Sequence, residues 1–126
     1  MKQLTDIQLT PPQSQALSEL RKRSSEEFDV ESVTLYGSVA RGEADEESDI
    51  DLLVLTCRPR TRLERHKITD VVCEVNLRYD TNFSTLVIDR DCWENGAVSV
   101  LPLRDEILKD GILLWATRSG VQKETN

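Results

Sequence analysis

The chain has 126 residues, of which 38% are hydrophobic, and it carries a net charge of −7. This size suits one compact domain, 1–118, with a polar tail, 119–126, and the acidity disfavours non-specific nucleic-acid binding because it repels phosphate backbones. The sequence has no run of about 18 apolar residues, no apolar N-terminal segment and three widely spaced cysteines, so we expect a cytoplasmic protein with reduced thiols and no membrane span.

The first half of the chain predicts one helix and two strands. The segment TPPQ (10–13) is typical of a helix start, because threonine can cap the helix, proline suits its first turn, and glutamine three residues on completes a capping box. The β-branched and aromatic run 33–36 predicts a short strand, and 38–41 could form a single helical turn. The run DIDLLVLT (49–56) predicts a second strand, whose continuously apolar centre indicates a position inside the sheet.

The second half predicts two more helices and two more strands. Apolar residues recur at helical spacing over 62–79, and NFSTLVID (82–89) is typical of a third strand. A last helix over 102–110 is stopped by a glycine, and 112–115 is expected to be a short edge strand. The order of the elements favours an α/β or α+β fold in which a small mixed β-sheet is flanked by helices.

Two carboxylates stand at the start of the second predicted strand. Side chains alternate between the faces of a strand, so Asp49 and Asp51 point to one face and Ile50 to the other. The two like charges repel each other, and a divalent cation, which prefers hard oxygen ligands, relieves that repulsion. Magnesium is commonly held by one or two carboxylates together with substrate phosphates. Asp49 and Asp51 are therefore candidate magnesium ligands.

A glycine-serine turn precedes these carboxylates in the chain. Gly37 permits close backbone approach, and a short helix from Ser38 offers N–H groups and a hydroxyl to an anion. If the two strands are neighbours, a metal-bound triphosphate would lie where the first strand ends and the second begins. A lone pair of aspartates would more simply be a turn residue and a surface charge, with Ser48 capping the turn. The occurrence of both elements between apolar strands favours the nucleotide site.

The wider string GSVARGEA (37–44), followed by SDIDLLV (48–54), resembles the signature of the polymerase-beta-like nucleotidyltransferase superfamily, and most closely its minimal nucleotidyltransferase (MNT) branch. The resemblance covers 33–55, and the order of the elements agrees up to residue 115. It implies the nucleotidyltransferase fold and a magnesium-dependent enzyme, with a two-metal site possible. Such an enzyme transfers a nucleoside monophosphate from ATP or another nucleoside triphosphate to a hydroxyl and releases pyrophosphate.

The resemblance also implies site residues and a partner. Asp49 and Asp51 would be the catalytic, magnesium-binding carboxylates. The positions that would contact the nucleotide lie in the same motif: Gly37, Ser38, Arg41 and Ser48. The acceptor could be protein, RNA or a small molecule, and a chain of this length has no second domain to bind it. Many proteins of this branch are paired with a separate HEPN-domain protein, often as antitoxin and toxin, so a protein partner of that kind is expected.

One position departs from the pattern of the active family members. They carry a third carboxylate on the strand placed here at 82–89. The second strand runs away from the site for about 20 Å at roughly 3.3 Å per residue, and the helix returns over about 25 Å at roughly 1.5 Å per residue. The third strand is therefore predicted to run parallel to the second, with the expected acid near Ser84, which is not acidic.

Asp80 is the other candidate for the third acid, although it precedes the predicted strand. In two-metal phosphoryl transfer the third carboxylate commonly activates the attacking hydroxyl. Without it, nucleotide binding survives while catalysis is slow or lost. The alternative to an active enzyme is thus a catalytically weak or inactive nucleotide-binding partner subunit, and a metal-dependent phosphatase is a third, weaker interpretation.

Overall fold

The computed structural model of the protein describes residues 9–28, 30–42, 49–96 and 100–116. These residues form four helices and a four-stranded sheet. In chain order the elements are α1 (Pro11–Glu27), β1 (Val30–Tyr36), β2 (Ile50–Thr56), α2 (Arg62–Tyr79), β3 (Phe83–Asp89), α3 (Arg90–Asn95), α4 (Pro102–Asp110) and β4 (Ile112–Ala116). None of these helices is long and apolar enough to cross a membrane.

The sheet is mixed, as the sequence predicts. Its strand order is β3-β2-β1-β4. β1 is antiparallel to both β2 and β4, whereas β2 and β3 are parallel. The interior position of β2, the edge position of β4 and the parallel direction of β3 are thereby confirmed.

Both faces of the sheet are covered, which explains the unbroken apolar centre of β2. Leu52 and Val54 pack into a large core with α1 and α2 on one face. Leu53, between them, points to the other face and packs with Trp93 of α3 and Ile107 of α4. A strand that is buried on both faces needs apolar residues at consecutive positions, not at alternate ones.

Local capping signals set the helix starts that the sequence indicates. The Thr10 hydroxyl accepts a hydrogen bond from the Gln13 N–H at 3.3 Å, and the Gln13 side chain accepts one from the Thr10 N–H at 2.9 Å. Thr61 and Glu64 form the same capping box at the start of α2. The Thr61 N–H and the Arg60 guanidinium, both donating to the Glu64 carboxylate, lower the pKa of that carboxyl to about 2.

Two expectations need correction. β1 begins at Val30, three residues before the predicted strand, because Val30 is buried and extends the pairing with β2. α3 was not predicted, because six residues with one buried side chain, Trp93, give no helical period. Its only local signal is Asp89, which caps the Cys92 N–H at 3.0 Å. The predicted tail 119–126 lies outside the described residues.

The side chain of Asn76 ties the end of α2 to the start of β3. Its amide N–H donates to the Phe83 carbonyl at 3.0 Å. Its carbonyl oxygen accepts from the Phe83 N–H and from the Thr81 hydroxyl, both at 2.9 Å. Phe83 pairs with Ile50 at the start of β2. Asn76 thus helps to set where β3 begins beside β2, and with it the register of the residues that follow.

We predict that Asn76→Ala lowers the free energy of unfolding by about 2 kcal/mol, because it removes the side-chain partner of the partly buried N–H and carbonyl of Phe83. Leu77→Ala is the matched control, since the neighbouring Leu77 side chain is 86% exposed and its loss should change stability by less than about 0.5 kcal/mol. Urea denaturation of both variants measures the difference. Equal unfolding midpoints would show that the Asn76 hydrogen bonds do not stabilise the fold.

Candidate functional site

The predicted site residues that the structure describes lie at one edge of the sheet. β1 ends at Tyr36, directly before Gly37, and β2 begins at Ile50, directly after Asp49. Because β1 and β2 are antiparallel, the end of one lies beside the start of the other. The register pairs Tyr36 with Asp51, and Asp51 with Ser84 on the far side. Tyr36 of β1, Asp51 of β2 and Ser84 of β3 therefore lie side by side at this edge. The sequence predicts this proximity for the turn and the two carboxylates.

Gly37 leaves the space that the Asp51 side chain occupies. Its φ is +81°, a conformation that favours glycine. A Cβ atom added at Gly37 would overlap a carboxylate oxygen of Asp51. The turn and the second carboxylate are thus in direct contact, so a ligand held by one of them lies within reach of the other.

The residues after Gly37 form a single backbone turn. The Arg41 N–H donates to the Gly37 carbonyl at 3.1 Å, and the Gly42 N–H donates to the Val39 carbonyl at 3.1 Å. Ser38 is half-buried in this turn, and Arg41 is exposed. The turn is the one expected over 38–41. Ser48, the other predicted nucleotide contact, lies outside the described residues.

Asp49 and Asp51 lie on one face of the chain, with Ile50 buried between them at 1% exposure. Burial raises the pKa of the Asp51 carboxyl, the negative charge of Asp49 raises it further, and the positive charge of Arg41 opposes both. Burial, followed by the charge of Asp51, likewise raises the pKa of the Tyr36 hydroxyl. The site thus carries an excess of negative charge beside a half-buried carboxylate, and a bound cation would relieve it.

The donor set fits magnesium that is held partly by its substrate. Across the described part of the chain, no group of three or more His, Cys, Asp or Glu side chains could hold a metal ion. At this edge of the sheet, the described residues offer two hard carboxylate ligands, Asp49 and Asp51. Magnesium keeps several waters and binds through one or two carboxylates plus phosphate oxygens, so these two ligands are sufficient when a nucleoside triphosphate supplies the rest.

A small cavity adjoins the Gly37 turn, and sequence reasoning did not find it. Its volume is about 90 Å³. Its lining combines β1 and the turn with α4: Tyr36, Gly37, Arg41, Leu103, Glu106 and Ile107. No local motif marks Glu106, because only the long-range packing of α4 against β1 brings it here.

Ser84 lies at the position where the family resemblance implies a third carboxylate. The register places Ser84 directly beside Asp51, as the element lengths predict. Asp80 is excluded from this row because it is the C-cap of α2, where its φ of 55° ends the helix three residues before β3 begins. The described residues thus hold a two-carboxylate site with a serine beside it.

Comparison with known proteins identifies the fold and the family. The family model of the nucleotidyltransferase domain matches residues 17–113. Two proteins of Methanocaldococcus jannaschii, both provisionally named protein adenylyltransferases, are similar in sequence. MJ1305 is 40% identical over 77 residues, which cover 58% of this chain and 52% of MJ1305. MJ0141 is 42% identical over 55 residues, covering 44% of this chain and 56% of MJ0141. The alignments thus span about half the length of each relative.

Several solved structures share the fold. A toxin–antitoxin complex with AMP-PNP aligns with a TM-score of 0.56 at 18% identity, over 86% of this chain and 83% of that one. A structure described as a minimal nucleotidyltransferase aligns with a TM-score of 0.51 at 25% identity, over 79% and 88%. A Shewanella oneidensis complex of a tri-AMPylated HEPN toxin with an MNT antitoxin aligns with a TM-score of 0.51 at 15% identity, over 90% and 84%.

The family model spans most of the chain and includes the segment from β1 to β2, which contains the turn and the two aspartates. The sequence had indicated this family from the same turn and aspartates. The chain therefore belongs to the nucleotidyltransferase domain family.

Proposed function

We propose that this chain transfers a nucleoside monophosphate from a magnesium-bound nucleoside triphosphate to a hydroxyl acceptor and releases pyrophosphate. The observation that carries the proposal is the contact between Gly37 and the half-buried carboxylate of Asp51 at the edge where β1 ends and β2 begins. This contact joins an anion-accepting turn to a pair of metal-binding carboxylates.

Each residue of the site has a physical role in this reaction. The backbone at Gly37 and the Ser38 hydroxyl bind the terminal phosphates, and the exposed Arg41 guanidinium adds positive charge at the end of the same turn. Asp49 and Asp51 hold magnesium, which when bound neutralises phosphate charge and orients the triphosphate. The pyrophosphate then leaves on the β1 side, where the turn retains it.

The acceptor that we propose is a hydroxyl on a partner protein, in an antitoxin-like pairing with a HEPN-domain protein. Support comes from the names of the M. jannaschii relatives, which are protein adenylyltransferases. Further support comes from the S. oneidensis complex, in which an MNT antitoxin accompanies an AMPylated HEPN toxin. ATP is therefore the first nucleotide to test.

α4 and β4 offer a surface for such a partner. Leu101, Leu108 and Leu113 are each 46–48% exposed, and Val100 is 82% exposed. Trp115 of β4 does not contribute to this surface, because it packs in the core at 7% exposure. α4 also lines the cavity beside Gly37, so a partner on α4 lies next to the nucleotide site.

A second candidate function follows from Ser84. With a serine where active relatives of this type carry an acid, the chain would bind nucleotide as a catalytically weak or inactive partner subunit. Both functions require magnesium–nucleotide binding, and turnover separates them. Transfer of label from a nucleotide to an acceptor favours the enzyme, whereas binding without transfer favours the subunit.

We predict magnesium-dependent binding of ATP, followed by transfer of labelled nucleotide to a host protein. Calorimetric titration of ATP with and without magnesium measures the first step, and incubation with α-labelled ATP, magnesium and host-cell extract measures the second. Asp49→Asn and Asp51→Asn should weaken binding by about tenfold or more, because each removes a ligand charge. Equal ATP affinity with and without magnesium would contradict the assigned metal ligands.

We predict that Gly37→Ala weakens magnesium–ATP binding much more than Gly42→Ala does. Both glycines have positive φ, +81° and +74°, so both variants carry backbone strain of about 1 kcal/mol. A Cβ at Gly37 also overlaps the Asp51 carboxylate, whereas a Cβ at Gly42 meets no atom within 4 Å. Calorimetry measures the ATP affinity of the two variants. Similar losses in both would show that Gly37 is only a structural turn residue.

We predict that Asp51→Asn stabilises the metal-free protein at neutral pH. The raised pKa of Asp51 means that the folded state binds its proton more tightly than the unfolded state. Wild-type stability therefore falls as pH rises from the ordinary aspartate pKa through the raised value, and the variant lacks this fall. Thermal melts without divalent cations, from about pH 4 to about pH 8, measure it. Asp70→Asn, at an exposed position on α2, is the control, and identical pH profiles for all three proteins would contradict the prediction.

We predict that Leu108→Arg reduces the recovery of a HEPN-domain companion when the tagged chain is purified from its host. An arginine in the exposed apolar surface of α4 would have to lose water on binding. Leu77→Arg is the control, because Leu77 is an exposed leucine on α2. Mass spectrometry identifies the companions. Equal recovery with both variants would show that the partner does not bind α4. Recovery of no companion, with wild type or either variant, would count against the pairing with a HEPN-domain protein.

A further inference from the structure

Ser84 lies in one row with the turn and the carboxylates. The register pairs Tyr36 with Asp51 on one side of β2, and Ser84 with Asp51 on the other. Neighbouring strands lie about 4.8 Å apart, so the row from Tyr36 through Asp51 to Ser84 spans about 10 Å. Asp51 stands in the middle, with the Gly37 turn at the β1 end and Ser84 at the β3 end.

This order is the one that phosphoryl transfer requires. The nucleophile, the phosphorus atom and the leaving oxygen lie roughly in line. With the terminal phosphates on the Gly37 turn and the α-phosphorus beside Asp51, pyrophosphate leaves on the β1 side. The attacking oxygen must then approach from the β3 side, and the side chain that the register places there is a hydroxyl, that of Ser84.

The Ser84 side chain is accessible to a substrate. Ser84 is exposed between the buried Phe83 and the half-buried Thr85. Thr85 points to the other face of the sheet, where it lines a small internal cavity with Leu52 and Val72. With the described residues Ser84 makes no side-chain hydrogen bond. Its hydroxyl is therefore free to face a substrate at the Asp51 side of the sheet.

We propose that Ser84 is a nucleotidylation site of this chain, modified by its own active site. The step forms a bond between Ser84 Oγ and the α-phosphorus of the nucleoside triphosphate. It breaks the bond from that phosphorus to the oxygen bridging to the β-phosphorus, and pyrophosphate leaves with the electron pair. The hydroxyl proton passes to solvent. The inference rests on the proposed function, because the triphosphate must bind at the Gly37 turn and at Asp49 and Asp51.

The missing third carboxylate does not prevent this step. A positioned general base contributes about 10²–10⁴-fold to rate, so transfer without one is slow. Self-modification needs only one turnover per chain, and Ser84 is held permanently beside the site by the β2–β3 pairing. Holding the reacting groups together offsets much of the lost rate.

The full-length chain, as purified and after incubation with magnesium and each of the four ribonucleoside triphosphates in turn, is analysed by intact mass and by peptide mapping. We expect a mass increase of one nucleoside monophosphate, located on Ser84. Ser84→Ala should lose the adduct completely. Thr85→Val, a matched change on the opposite face of the same strand, should keep it. Calorimetric titration of magnesium–ATP on the same preparations reports nucleotide binding separately, and Ser84→Ala should bind with an affinity within about twofold of wild type.

The outcomes separate this inference from the proposed function. An adduct on Ser84 that disappears in Ser84→Ala and in Asp51→Asn supports self-modification. Magnesium–ATP binding without any adduct on Ser84, or with an adduct at another residue only, overturns the inference and leaves the proposed function standing. No nucleotide binding by the wild-type chain overturns both. Peptide mapping of the wild-type protein decides the matter even if a variant fails to fold.

Discussion

The site depends on how β2 is paired. β2 is buried on both faces and runs antiparallel to β1 but parallel to β3. The antiparallel pairing brings the end of β1, with Gly37, to the start of β2, with Asp51. The parallel pairing requires a crossover, which α2 supplies, and brings the start of β3 to the same edge. Because β2 is antiparallel to one neighbour and parallel to the other, the Gly37 turn, the Asp51 carboxylate and the Ser84 hydroxyl lie in a row.

The edge is electrostatically unfavourable without ligands. Asp51 is half-buried, and the charge of Asp49 lies on the same face, so the pKa of Asp51 is raised and its charged form is costly. The packing around Asp51 does not remove this free-energy cost. Gly37 adopts a positive φ and leaves space for the carboxylate that a side chain would fill. Such a cost, in a sheet otherwise packed with apolar residues, is typical of a functional site, and it supports the proposed binding of a cation there.

Local signals and element lengths predicted much of this structure, whereas contacts that depend on helix packing were not predicted. α2 begins and ends at the predicted residues, 62 and 79, because its apolar residues recur at helical spacing along the whole segment. The position of Ser84 beside Asp51 followed from element lengths alone, since a strand and a helix of known rise fix where the chain returns. Glu106 could not be placed near Gly37, because its position depends on the packing of α4 against β1. α3 was missed for a different reason, since it is too short to show a period.

The two sides of the site are built unequally. On the β1 side, Gly37 meets Asp51 directly, Arg41 carries positive charge near both, and α4 closes a cavity against the turn. On the β3 side, the row ends at the exposed Ser84, and no helix of the described chain packs over it. Under the proposed function, the β1 side binds and retains the triphosphate, and an acceptor approaches from the β3 side. In the proposed reaction, a chain that holds its donor on the β1 side and leaves the β3 side open reacts with the hydroxyl that is placed there, either one that a docked partner presents or, without a partner, the hydroxyl of Ser84 at the end of the strand row.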